Sequence, residues 1–447
     1  MMRWVRLITL VCVAAGSLGG ARDDERALPG TISRAAATQD LRDWFARVAR
    51  VHPLGSETIH RRLADAVDRT IARLPPRLSP LEFFVLVAPL AASLNDSHTS
   101  IVAPGSAGVA LPKLIVQDDA VILHEDVPPL RAGERIDAIS GHSVERLLSV
   151  ASPWASAENA AGAQISVTSL LPTALSVVGI DSPARLRVGS RVVDYKPSRL
   201  DKPLPAIEVR SLSNNIVVVT IRTFAGPIRF YEQWFDRLFA ELDRTRARGL
   251  IVDLRENNGG STTAGTLLLS YVTDRPFRLF GEKLWRVSRE MQAHLSQNGT
   301  KGFAYYLALS PGQWTSSEPP IQAPPAPATR FAGPTVFLIG PRTRSAAMML
   351  ANAVEDFDLA LLVGRPPASP PRYFGEVYPY RMQNTGLNAF ISSAAFVRAS
   401  GDEANALRVQ PHISTDVSNR GARGSGLAVA LAAIRRFHQT SSKRDRR

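Results

Sequence analysis

The chain has 447 residues, a formal charge of +13, 45% hydrophobic and 21% charged residues, and a single cysteine. That composition excludes an intrinsically disordered chain and leaves room for one large core or two to three ordinary ones. One cysteine excludes an intramolecular disulfide and any multi-cysteine metal site.

At the N-terminus, Arg3 and Arg6 precede the apolar run 7-LITLVCVAAG-16, which is short for a bilayer span. Small residues (17-SLGGA-21) and the charged 22-RDDER-26 follow, the pattern of a secretory signal over 1–21 cleaved near Ala21. An uncleaved membrane anchor is the alternative. Val11 stands before Cys12 where a lipoprotein signal wants a small residue, which argues against lipidation. Cleavage would remove Cys12 and with it any thiol nucleophile, and would lower the charge to about +11. An exported protein without disulfides fits the bacterial periplasm. The basic surplus is scattered arginine apart from 443-KRDRR-447, with no zinc-finger spacing or RNP-like stretch beside it. Solubility and surface adhesion explain it better than nucleic-acid binding.

Residues 39–105 read as a helical cap. Leu41, Trp44, Phe45 and Val48 recur at helical spacing, as do Ile59, Leu63, Val67 and Ile71. A third helix starts after Ser79-Pro80 and ends near Leu94. Just beyond it, 94-LNDSHTSIV-102 sets His98 between two hydroxyl residues. Residues 106–204 carry short β-like runs, 114-LIVQDDAVIL-123 and 185-RLRVGSRVVDY-195, and the strand, turn and helix start 133-GERIDAISGHSVERLLS-149. From 205 to 437 strands alternate with helices: 216-IVVVTI-221, a helix with Phe230, Trp234, Leu238 and Leu242, 249-GLIVDL-254, a helix at Thr266–Tyr271, 335-TVFLIG-340, a helix from Ser345, and 359-LALLVG-364. This predicts an α/β sheet with helices on its faces. The proline-rich 319-PPIQAPPAPATR-330 reads as an exposed connection within that domain, and 438–447 as a disordered basic tail.

Three stretches sit where open sheets build sites, at the ends of apolar elements. Ser345, in 340-GPRTRSAAMMLANAV-354, opens a helix whose N-terminus favours a developing negative charge. On spacing alone, Ser345 or Thr343 reads more readily as a plain helix cap. Gly259 and Gly260, in 253-DLRENNGGSTTAG-265, free the backbone to point N–H groups into a cavity, or simply form a strand-to-helix loop. His98 is a general base or a structural hydrogen-bonder.

Together with 363-VGRPPASPPRYFGEV-377, these motifs resemble the S41 serine peptidases, the tail-specific protease, C-terminal processing and tricorn-core group, over about residues 40–435. The late stretches 384-NTGLNAFISSAAFVR-398 and 406-ALRVQPHIS-414 echo that family as well. The resemblance implies a ClpP/crotonase-like sheet with flanking helices, polypeptide substrates, and neither metal nor organic cofactor. It implies Ser345 as nucleophile, with an oxyanion hole from the N–H of Gly259 or Gly260 together with that of Ala346. One branch uses a downstream lysine as base, but Pro370 occupies that place and Lys443 is the only lysine after Ser345. The tricorn-like branch uses a Ser-His pair, matched by Ser97 and His98, and a glutamate in a late loop. Glu403 is ranked first for that role and Glu376 second. Arg344 beside the nucleophile and His412 in place of an aspartate depart from the family pattern. The segment 133-GERIDAISGHSVERL-147 resembles a PDZ strand and helix without a carboxylate-binding loop, so 106–204 is expected to be a degenerate PDZ-like module or a structural cap. The expected function is an exported serine endopeptidase; the alternative is a cell-envelope protein that binds peptides without cleaving them.

Overall fold

The computed structural model describes residues 28–105, 109–117, 120–181, 184–195, 204–212, 214–297, 303–402, 408–415 and 424–444. The signal-like segment 1–21 lies outside them. In the C-terminal half, a six-stranded sheet runs in the order Ile207–Leu212, Ile216–Ile221, Gly249–Asp253, Thr335–Ile339, Leu361–Gly364, Ile413–Ser414. The first pair is antiparallel and the other four are parallel. Both faces are covered, so the central strands read as unbroken apolar runs rather than alternating ones. Val219, Leu250, Val252, Phe337 and Ile339 face a core with the helices Ile228–Arg244, Thr262–Ser270 and Ala346–Asp356. Val218, Ile251, Val336 and Leu338 face the helix Gly424–Arg444 through Ala430 and Ile434. That last helix continues past residue 438, where the sequence predicts a disordered tail. No proline or glycine interrupts it after Gly426, and His438 ties it to the sheet, its Nε2 lying 2.7 Å from the Arg248 carbonyl.

A second, antiparallel sheet is ordered Trp314–Ser317, Lys283–Arg286, Asn388–Phe396, Tyr373–Arg381. Its two nine-residue strands form a long hairpin that reaches the N-terminal half, where Ser100–Ile101 pairs with Ala389 and Phe390. The predicted cap is present as helices Arg34–Val51, Ser56–Arg73 and Pro80–Ala92, the last begun by a complete Ser79/Glu82 capping box. The β-rich region forms a three-stranded and a four-stranded sheet. It also contains the helix Ala160–Val177, which the sequence reading did not foresee. That helix has no charged residue, carries Pro172 and is weakly amphipathic, so the periodic signal that marks a helix is missing. By length and composition it is able to cross a membrane, yet Val167, Leu171, Ala174 and Leu175 pack into a core shared with Trp44, Phe83, Phe84 and Ile391. One hydrophobic core thus joins the cap, the β-rich region and the tip of the long hairpin.

Candidate active site

Ser345 stands between the strand Thr335–Ile339 and the helix Ala346–Asp356. The turn before it is set by buried Thr343, whose hydroxyl donates to the Leu254 carbonyl (2.8 Å) and accepts from the Gly340 N–H (3.0 Å). Ser345 has φ 49° and ψ −126° and makes no capping bond to the helix it precedes. A non-glycine residue in that region is strained, as nucleophile-bearing strand-to-helix turns are. Space for it comes from Gly259 (φ 92°), where a Cβ would lie 2.6 Å from Ser345 Cβ and 3.0 Å from the Ala346 nitrogen. Asn257 holds the two segments together: its carbonyl accepts from Arg344 N–H at 2.9 Å and its Oδ1 from Gly259 N–H at 2.8 Å.

His98 is placed from the other half of the chain. Asn95 takes φ 56° after the third cap helix, and Asp96 is fully buried. Asp96 Oδ1 accepts the His98 N–H at 2.9 Å, and its Oδ2 lies 3.2 Å from Nε2 of buried His52. Because His52 Nδ1 accepts from the Leu54 N–H, its proton sits on Nε2 and donates to Asp96. Burial works against the Asp96 charge, but the His52 bond and the nearby imidazoles outweigh it and hold the carboxyl at about 2. Thr99, also buried, accepts from the Ser392 N–H at 3.0 Å, fixing the loop to the long hairpin.

The two halves meet at Tyr373, the first residue of that hairpin. Its ring centroid is 5.3 Å from that of His98 and its hydroxyl lies near the Ser345 side chain. Burial pushes the phenol far above its ordinary range, so it is neutral. Burial also lowers the His98 pKa; Asp96 and Glu158 oppose that shift and the Arg344 cation adds to it. The ring is therefore an unprotonated acceptor near neutrality.

Ser345, His98 and Ser97 thus come together around Tyr373, with Gly259 and Ala346 against the serine. Glu376, at φ 51°, pairs instead with Lys283 at 3.1 Å. Glu403 lies outside the described residues. His412 accepts the Leu362 N–H at 2.9 Å and so serves the sheet edge. A residue not foreseen from sequence is Glu158, which accepts from the Ser97 hydroxyl at 2.7 Å. It precedes Asn159, the N-cap of the unforeseen helix; the Asn159-plus-apolar-run pattern was the one available signal for that helix. Donor atoms of Asp96, His98 and Glu158 lie within 4.8 Å of one another, the spacing of a cation site. Both Asp96 oxygens are already engaged by histidine groups, His98 through its backbone N–H and His52 through its ring. The Gly-containing loop is also docked to the β-rich region, through Glu256 with Lys113 and with His124 at 3.7 Å.

A strained serine at a helix start, with an imidazole from a distant loop on the other side of Tyr373, is an arrangement that serine hydrolases use. Residues 215–415 match the model of Peptidase family S41, a family of serine-type peptidases that the chain resembles over this stretch. Its fold is similar to that of mature CPAF (TM-score 0.58, 17% identity, covering 85% of this chain and 92% of that one). It is likewise similar to mature CPAF complexed with lactacystin (TM-score 0.60, 15% identity, covering 92% and 98%). The photosystem II D1 C-terminal processing protease aligns at a TM-score of 0.48 and 16% identity, covering 85% and 93%. No curated protein matches the sequence.

Proposed function

We propose that the chain is an exported serine endopeptidase in which Ser345 is the nucleophile and His98 its general base. The observation that carries the reading is the strained Ser345 backbone set against the Tyr373–His98 pair, across 247 positions of sequence. Ser345 Oγ turns from Tyr373 toward His98, loses its proton to the imidazole and attacks the peptide carbonyl carbon. The oxyanion is received by backbone N–H groups. Ala346, the first residue of its helix, has no intrahelical acceptor for its N–H. Of the two glycines, Gly259 already donates to Asn257. The bonds of Phe224 with Gly259 O and Ser261 N turn the Gly260 N–H to the opposite side, which favours Gly260 as the second donor. His98 then protonates the leaving amine and activates the water that releases the acyl group. Polypeptides are the substrates, and export is supported by the signal-like sequence of residues 1–21.

A fluorophosphonate probe tests the nucleophile: it is expected to label the wild type and not Ser345→Ala, and persistent labelling of the variant would refute the assignment. Casein turnover is expected from the wild type and not from His98→Ala. Lactacystin, with which CPAF is complexed, gives a second check, since it is expected to protect Ser345 from the probe. Peptide binding without labelling of the wild type would favour the non-cleaving alternative.

A further inference from the structure

We propose that Glu158, acting through the Ser97 hydroxyl, is the acidic group that sets the tautomer of His98. The inference rests on His98 being the base. Ser97 Oγ has one proton and two polar neighbours: Glu158 Oε1 at 2.7 Å and His98 Nδ1 at 3.3 Å. A carboxylate only accepts, so the proton lies toward Glu158 and Ser97 turns a lone pair to the ring. The Nδ1 atom must then bring the proton to that contact. A neutral imidazole protonated on Nδ1 has its lone pair on Nε2, the atom left to take a proton from Ser345.

Glu158 is held for this work. The Ser97 N–H donates to the same Oε1 at 3.2 Å. The next residue, Asn159, caps the helix Ala160–Val177 with its side-chain oxygen and donates its amide to the Ala368 carbonyl at 2.8 Å. The loop carrying Glu158 is thus fixed to the loop that leads into Tyr373. Its second oxygen, Oε2, is buried without a protein partner, beside a cavity of about 10 Å³ lined by Ser97, Arg344 and Ser369. That volume is near the least that holds one water. The groups facing His98 are Asp96 on its own loop, Glu158, Arg344 and the neutral Tyr373. When His98 gains its second proton, two carboxylates favour the cation and Arg344 opposes it. Glu376 cannot serve the same way while paired with Lys283.

The test uses the full chain and the rate of fluorophosphonate labelling as a function of pH. Glu158→Gln is expected to slow labelling by about 10- to 100-fold, because its amide is able to donate to Ser97 and reverse the bond. Its acid limb is expected to move to lower pH, since one of the two negative charges favouring the imidazolium is gone. Ser97→Ala is expected to slow labelling similarly, and the double variant to be no slower than the worse single. Labelling of Glu158→Gln within about 2-fold of wild type with an unmoved limb would overturn the proposal, as would loss in Glu403→Gln without loss in Glu158→Gln. Nitrogen NMR of wild-type His98 is independent of how any variant folds: a proton on Nδ1 supports the proposal and one on Nε2 defeats it. Labelling of Ser345→Ala would instead break the underlying reading of the nucleophile, a separate result.

Discussion

Replacing Gly259 by alanine puts a methyl group where the structure has none to spare. The residue sits at φ 92°, and the new Cβ would lie 2.6 Å from Ser345 Cβ, 2.9 Å from the Arg344 carbonyl oxygen and 3.0 Å from the Ala346 nitrogen. The left-handed backbone costs an L-residue about 1–2 kcal/mol. Overpacking against backbone atoms adds about 1–3 kcal/mol. The neighbours cannot easily yield, because Ser345 is itself strained and Arg344 is tied to Asn257. The expected loss is therefore about 2–5 kcal/mol, or a fall of roughly 5–15 °C in Tm for a domain of this size. Any relief must shift Ser345, so fluorophosphonate labelling is expected to drop about 100-fold. Gly226→Ala is the control: its φ is 114°, but nothing lies within 4 Å of the added carbon. That variant is expected to lose only the backbone contribution, about 1–2 kcal/mol, and to label normally. Thermal melts and labelling rates of the two proteins side by side decide it. If Gly259→Ala melts and labels like Gly226→Ala, the packing argument is wrong.

Three further outcomes are expected. The rate of Ser345 labelling should rise with pH along a limb below the ordinary histidine range, because burial lowers the His98 pKa, and Arg344→Met should move that limb upward by removing the opposing cation; a limb that stays or moves down contradicts this. Asp96 titrates at about 2 in the fold, lower than when unfolded, so its contribution of about 2 kcal/mol is present above the usual carboxylate pKa and lost as pH falls toward 2. Urea melts between pH 5 and 2 should show a shallower acid decline in Asp96→Asn, and an unchanged slope would count against the buried pair. Ser79→Ala removes one half of a capping box and should cost about 1 kcal/mol in a urea melt without altering labelling.

The α/β half was legible because its strands bury both faces and its helices show a clean 3.6-residue period: the helix Ile228–Arg244 places Tyr231, Phe235, Leu238 and Leu242 inward. Ser345 was visible from its position between strand and helix, but not the choice between cap and nucleophile, which depends on a backbone torsion. His98 was visible as a residue type in a suggestive loop. Its supports were not, because His52, Ser392 and Tyr373 reach it through contacts spanning tens to hundreds of residues. Glu158 was hidden for a different reason. The uncharged helix behind it lacks amphipathic periodicity, so the region read as β-rich and the acid was sought in a late loop.

The single core shared by the cap, the β-rich region and the hairpin tip has a consequence for how the chain can be divided. His98, the proposed base, lies in the first part of the chain and Ser345, the proposed nucleophile, in the second, each part with its own apolar interior. They are bridged by the strand Asn388–Phe396, which belongs by sequence to the second part but lends Ala389 and Ile391 to the first. Two polypeptides divided near residue 200 would therefore each be inert toward the probe, and mixing them should restore labelling as that strand finds its place. The protein is, in this sense, a two-component reagent that happens to be made as one chain.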